Sequence, residues 1–259
     1  MNVRLDKFLS SQTDLTRTDI KKLLWKRKIS VNGKILRDGS IKIDPETSEI
    51  IADGRKILYR DKVYIILNKP EGFVCATEDK HEKTVMDLLG DDIKRKDIFP
   101  AGRLDKDTIG MVLITNDGTL SHRILSPKKH IPKYYIVKLA ESFQEDYVRQ
   151  FAEGVIIDGG EKCLPAKVKR FPDCEKTAFI ELHEGKYHQI KRMFSAVENS
   201  VEKLCRIQMG GLLMPEKLAI GEYMEIMHKD VENLLKSQCF EEVFRNITEN
   251  FSSYWINMQ

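Results

Sequence analysis

The sequence lacks most of the patterns that announce metal or nucleotide chemistry. Five cysteines (Cys75, Cys163, Cys174, Cys205 and Cys239) stand far apart, odd in number and without a C-x-x-C pair. That spacing argues against a zinc ribbon or a disulfide framework and predicts reduced thiols used for packing in a cytosolic protein. No H-x-E joined to P-C-x-x-C occurs, which disfavours a zinc nucleobase deaminase, and neither G-x-x-x-x-G-K-[ST] nor G-x-G-x-x-G is present to cradle a nucleotide phosphate. No apolar run approaches the roughly 18 residues of a membrane span, and the start Met1-Asn2-Val3-Arg4-Leu5-Asp6 has no apolar signal core. A soluble, cytoplasmic chain with no metal and no membrane contact is expected. Internal repeats and low-complexity tracts are absent too.

What is present is length and an uneven charge. A chain of 259 residues buries about 70 to 75 % of its unfolded surface, enough for one large domain and a small one. The formal net charge is only +3, yet residues 1 to 60 hold fourteen Lys/Arg against eight Asp/Glu, leaving twenty-nine against thirty-two for the remainder. The basic excess therefore belongs to the N-terminal segment, where it suggests a polyanionic partner.

In that segment Leu5, Phe8 and Leu9 fit one helical face, and Ile20, Leu23 and Leu24 repeat the spacing after Thr16-Arg17-Thr18, which can supply an N-cap. Ile29-Ser30-Val31, Asn32-Gly33 and Lys34-Ile35-Leu36 then predict a hairpin closed by a type I′ turn. Arg17, Lys21, Lys22, Lys26, Arg27 and Lys28 crowd the second helix and its exit. Asp53-Gly54-Arg55-Lys56 reads as a linker, and Val63-Tyr64-Ile65-Ile66-Leu67 opens a second domain with a buried strand that stops at Asn68-Lys69-Pro70-Glu71-Gly72. Strands and short helices follow without a regular βαβ rhythm, so this domain is expected to be α+β. Phe240, Val243, Phe244, Ile247 and Phe251 at helical spacing predict an amphipathic C-terminal helix that docks on the chain's own larger domain.

Three stretches carry candidate chemistry. Ala101-Gly102-Arg103-Leu104-Asp105-Lys106-Asp107-Thr108-Ile109-Gly110 leads into an apolar strand, Met111 to Ile114, and the turn Thr115-Asn116-Asp117-Gly118. This puts Asp105 in the loop before a buried strand. Lys133-Tyr134-Tyr135-Ile136-Val137 is a strand whose alternation sets Tyr135 and Val137 on one face and Tyr134 on the other. In Tyr187-His188-Gln189-Ile190-Lys191-Arg192-Met193-Phe194, the residues Ile190, Met193, Phe194 and Val197 form a helical core stripe opposite His188, Lys191, Arg192 and Ser195.

The first stretch resembles the GRLDxxTxGLLLLTNDG signature of the pseudouridine synthases, and the other two resemble that family's K-x-Y and basic motifs. Residues 2 to 50, through Arg4-Leu5-Asp6-Lys7-Phe8-Leu9 and Val31-Asn32-Gly33-Lys34, resemble the S4 RNA-binding module. The combination is similar to the small-subunit branch of the ribosomal pseudouridine synthases. The resemblance implies a mixed, largely antiparallel catalytic sheet with flanking helices over 59–232, a small S4-like α/β module over 1–58 and a C-terminal helix or tail over 233–259. It implies a cofactor-free isomerisation of uridine in RNA, with Asp105 as the catalytic carboxylate, Tyr135 stacked on the base and Lys191 as the cation paired with Asp105. Arg103 is expected to flip the base or position phosphate, and Arg4, Lys7, Arg17, Lys21, Lys22 and Lys28 to contact RNA. Arg206 could contact RNA or brace its loop. Whether the aspartate adds covalently or promotes a glycal-type elimination stays open. The expected partner is 16S ribosomal RNA in a small-subunit assembly intermediate, acted on by a monomer. A large-subunit RNA is the alternative, and a noncatalytic RNA-binding assembly factor a more distant one.

Overall fold

The computed structural model describes residues 2–126 and 131–250. Its first strand, β1 (Val3–Arg4), leads into α1 (Leu5–Gln12) and α2 (Arg17–Trp25). A capping box fixes the start of α2: Thr16 Oγ1 accepts from the Asp19 amide, and the Asp19 carboxylate accepts from the Thr16 amide, each at 3.1 Å. Four short strands follow, β2 (Ile29–Val31), β3 (Lys34–Ile35), β4 (Lys42–Ile43) and β5 (Ile50–Ala52), and then β6 (Arg55–Ile57). The β2–β3 turn has φ of 50° at Asn32 and 75° at Gly33, the two positive values that a type I′ hairpin requires. Leu5, Phe8, Leu9, Ile20, Leu24, Ile29 and Ile50 close a separate small core over these elements.

The larger part is α+β. Its strands are β7 (Tyr64–Lys69), β8 (Phe99–Ala101), β9 (Ile109–Thr115), β10 (Lys133–Leu139), a small hairpin of β11 (Ile156–Ile157) and β12 (Glu161–Lys162), β13 (Lys167–Arg170), β14 (Thr177–Leu182), β15 (Val201–Met209), β16 (Leu212–Leu213) and β17 (Tyr223–Glu225). Nine of them form one sheet in the order β13-β14-β10-β15-β9-β7-β17, with β8 on β9 and β16 on β15. All its pairings are antiparallel except β9 with β15.

Alternation along these strands feeds two cores. Tyr135, Val137, Leu204, Val112 and Ile114 lie in one, with α4 (Asp146–Glu153) and α5 (Gln189–Ala196) contributing Phe151, Met193 and Phe194. Tyr134, Ile136, Met111, Leu113 and Phe179 lie in the other, with α3 (Gly118–Leu125) and, beyond the short α6 (His228–Val231), α7 (Phe240–Asn250). Tyr134 stacks on Phe179 with ring centroids 5.8 Å apart, so the two adjacent tyrosines serve opposite faces of the sheet. Phe240, Val243, Phe244 and Ile247 are buried against this second face, while Phe251 lies outside the described residues. Among the described residues no helix is long and apolar enough to cross a membrane. The cysteines are free and three are buried, but Cys239 is exposed, so packing does not account for that one.

The parallel β9–β15 contact is the tightest point of the sheet. Gly110 pairs with Arg206 there at φ +103°, and a Cβ on it would lie 2.3 Å from the Arg206 carbonyl oxygen. Only glycine lets the two backbones approach so closely. Asp105 stands five residues before that contact, in the β8–β9 loop.

Candidate active site

The loop that carries Asp105 is tied from below. Lys69, at the end of β7, is fully buried, and its Nζ donates to the carbonyls of Pro70 (3.0 Å), Lys106 (3.1 Å) and Thr108 (2.7 Å). Burial pushes this ammonium down to about 8, against the opposing pull of Cys75, Asp107 and Asp105. The Gly72 amide also donates to the Lys106 carbonyl (2.8 Å), the Thr108 amide to the Asp105 carbonyl (3.1 Å) and the Leu104 amide to Cys75 Sγ (3.3 Å). Asp105 is thereby presented from a loop pinned at the Leu104 amide, the Asp105 and Lys106 carbonyls and the Thr108 backbone.

Above the loop is a cleft of about 620 Å³ whose lining includes Arg103, Asp105, Lys133, Tyr135, Leu182, His188, Leu204 and Arg206. Of the three residues expected from distant segments, Asp105 and Tyr135 line this cleft, and Lys191 reaches Asp105 beside it. Lys191 Nζ lies 3.8 Å from Asp105 Oδ2, with the two side chains 24 % and 27 % exposed. It also donates to both oxygens of Asp107 at 2.6 Å. Burial pushes the Asp107 carboxyl up, but the hydrogen bonds and charge of Lys191 outweigh it and hold the group below the usual carboxylate range. The cation expected to pair with Asp105 is thus shared by two carboxylates.

His188, absent from the expected site set, brings Nε2 to 3.6 Å from Asp105 Oδ1. The helical pattern extended through it, yet α5 begins only at Gln189 and His188 takes the left-handed conformation at φ 47° as its N-cap. Its ring stacks on exposed Tyr187 at 3.8 Å between centroids. Arg103 is exposed, and among the described residues it forms no ion pair with Asp105. Arg192 turns away from the cleft to the Asp158 carboxylate and the Asp158 carbonyl.

Lys69 escaped sequence reasoning, and Arg206, expected to contact RNA or brace a loop, is instead buried within β15 at the cleft. The available signal was a cation inside or ending an otherwise apolar strand, since a charge is seldom placed there without a partner or a task. Among the described residues, no group of three or more His, Cys, Asp or Glu is placed to hold a metal ion.

In the N-terminal part, Arg4, Lys7, Arg17 and Lys21 line one groove with Arg37, Asp6 and Asp38. Lys22 and Lys28 lie outside that groove and pair instead with Asp19 (3.8 Å) and Asp53 (3.4 Å). Gln12 joins this part to the sheet domain by accepting from the Arg60 amide (2.8 Å) and from Arg95 Nη1 (3.3 Å).

Residues 63–196 match the RNA pseudouridylate synthase family. The chain is 40 % identical over 238 residues to the RNA pseudouridine synthase YtzG of Bacillus subtilis (strain 168), an alignment that covers 91 % of this chain and 100 % of that protein. It is 40 % identical over 237 residues to ribosomal small subunit pseudouridine synthase A of Vibrio vulnificus (strain CMCP6), covering 90 % and 100 %, and 37 % identical over 236 residues to the protein of that name from Escherichia coli (strain K12), with the same coverage. A crystal structure of a pseudouridylate synthase superposes with a TM-score of 0.62 at 36 % identity, over 90 % of this chain and 99 % of the other. The match spans the Asp105 loop, the Tyr135 strand and the Lys191 helix together, and the chain belongs to the RNA pseudouridine synthase family.

Proposed function

We propose that the protein converts a specific uridine of 16S ribosomal RNA to pseudouridine, with Asp105 as the group that acts at the ribose. The observation that carries this reading is a cleft lined by both Asp105 and Tyr135, with the Lys191 ammonium 3.8 Å from the Asp105 carboxylate. The C1′–N1 bond breaks, its electron pair leaves with uracil, the ring turns, C5 bonds to C1′, and the proton lost from C5 is balanced by one gained at N1. Asp105 either adds to C1′ or removes the C2′ proton, and both roles use a carboxylate oxygen as the electron-pair donor. Tyr135 offers a ring for the base to stack on, and exposed Arg103 can enter the vacated helix stack or hold phosphate.

The N-terminal elements act as an S4-like module whose groove cations, Arg4, Lys7, Arg17, Lys21 and Arg37, track RNA phosphates. Relatives named as small-subunit synthases, aligned nearly end to end, support a 16S target, and a ribosomal substrate puts the protein in the cytoplasm. Action as a monomer is part of the same reading. Pseudouridine sequencing of both ribosomal RNAs, with and without the enzyme, tests the assignment. An enzyme-dependent signal confined to 16S RNA is expected, and one confined to 23S RNA would overturn it. Partly protein-bound 16S RNA is expected to react faster than naked RNA or mature 30S particles, and equal rates on all three would reject the assembly preference.

A further inference from the structure

Arg206 is the most deeply buried cation at the cleft, only 2 % exposed. It sits opposite Tyr135 in the β10–β15 register and follows Leu204 by two residues, so alternation turns it to the same face of the sheet. Its Nε donates to the Met111 carbonyl at 2.8 Å, which fixes the guanidinium in place. Its Nη2, by contrast, is buried and has no hydrogen-bond partner among the described residues. A charged donor left unpaired inside a protein is costly, and folded chains seldom retain one unless a ligand completes it. The second buried cation on the same wall, Lys133, adds positive potential beside it, since among the described residues its Nζ donates only to the Ile131 carbonyl at 3.2 Å.

The missing partner must be an oxygen acceptor that travels deep into the cleft. RNA supplies phosphate, ribose and base-carbonyl oxygens, and of these only the base carbonyls gain negative charge as C1′–N1 breaks. Phosphates follow the outer backbone, within reach of exposed Arg103, whereas a flipped base is the part that enters. Uracil presents a carbonyl on either side of N3. When C1′–N1 breaks, the departing ring holds an extra electron pair, and its negative charge spreads from N1 onto those two oxygens. This is so whether Asp105 adds to C1′ or takes the C2′ proton.

We propose that Arg206 is a catalytic residue whose Nη2 donates to a carbonyl oxygen of the flipped uracil and stabilises the uracil anion while the ring is detached. The donor is preorganised by the Met111 carbonyl and screened from water, the condition under which such hydrogen bonds favour charge that develops during reaction. The inference rests on the Asp105 cleft being the reaction centre.

Single-turnover rates of purified full-length protein test it, on the ribosomal RNA that the wild type modifies and on the same RNA transcribed with 5-fluorouridine. Fluorine stabilises the departing anion, so less help is needed. R206M should slow the uridine reaction by about 100-fold, the typical effect of losing one such donor, with RNA affinity and its salt slope unchanged. The deficit should shrink at least about tenfold on fluorinated RNA, reading target-site consumption. R206K, which keeps the charge, should fall between wild type and R206M and show the same narrowing, and it carries the test if R206M fails to fold. Equal deficits on the two RNAs, or an R206M rate near wild type, would overturn the proposal. A weaker affinity with a salt slope lowered by about one would assign Arg206 to a phosphate and overturn it as well. D105N in the same assay separates the two readings: continued turnover refutes the cleft assignment, whereas an inactive D105N beside a fully active R206M refutes only the role of Arg206.

Discussion

Lys191 donates to both carboxylate oxygens of Asp107 at 2.6 Å. Asp105, 3.8 Å from the same ammonium, is the more weakly held of the two carboxylates. The arrangement leaves Asp105 beside a positive charge without fully neutralising it, which suits an anion that must react rather than rest in a salt bridge.

The three groups should rank in their effect on turnover. D105N is expected to abolish pseudouridine formation, a loss on the order of 1,000-fold or more, with RNA binding retained. K191M should cost less than D105N, because the carboxylate survives. D107N should cost least and change unfolding free energy by no more than about 1 kcal/mol, since the Asp107 side chain is 67 % exposed and exposed pairs contribute little. Rates and RNA affinities measured on one substrate check the ranking, and a D107N defect as deep as that of D105N would mean the roles of the carboxylates have been exchanged.

Gly110→Ala should be severely destabilising, by roughly 3 kcal/mol or more, because both the backbone angle and the contact with Arg206 forbid a side chain. Denaturant unfolding gives the value. A loss below about 1 kcal/mol would show that β9 and β15 can separate at little cost.

Lys133 predicts a pH dependence. Burial first, and then the Arg206 charge, push its ammonium from the ordinary 10.5 down to about 8. Between those two values the unfolded chain holds a proton that the folded chain has released, so this residue's contribution to stability rises with pH across that window. K133M has no proton to release. The stability of the wild type relative to K133M should therefore grow by about 2 kcal/mol from pH 7 to pH 10. Urea melts at both pH values test this, and parallel curves for the two proteins would exclude it.

In the N-terminal groove, K21E combined with R37E should weaken binding to structured ribosomal RNA and lower the slope of log affinity against log salt by about two. K22E, outside the groove, should change both quantities less. Fluorescence titrations across a salt series make the comparison, and equal losses from the two charge reversals would mean that the groove is not the contact surface.

Features that depend on near neighbours in sequence were readable from the chain itself. Thr16 and Asp19 specify a helix start and Asn32-Gly33 a hairpin because capping and turn geometry involve only a few consecutive residues. The opposite faces of Tyr134 and Tyr135 follow from the two-residue period of a strand, and the Ile190-Met193-Phe194 stripe from the helical period. The Gly-Arg-Leu-Asp stretch and its companions pointed to the reaction class in the same way. What the tertiary structure alone decided are distances between segments far apart in the chain. Lys191 is divided between Asp105 and Asp107, Lys69 anchors the loop beneath them, Arg37 enters a groove that Lys22 and Lys28 do not, and Arg206 keeps one donor unpaired among the described residues. No local rule encodes these, because each depends on how the register of the sheet and the close β9–β15 approach at Gly110 bring separate elements together.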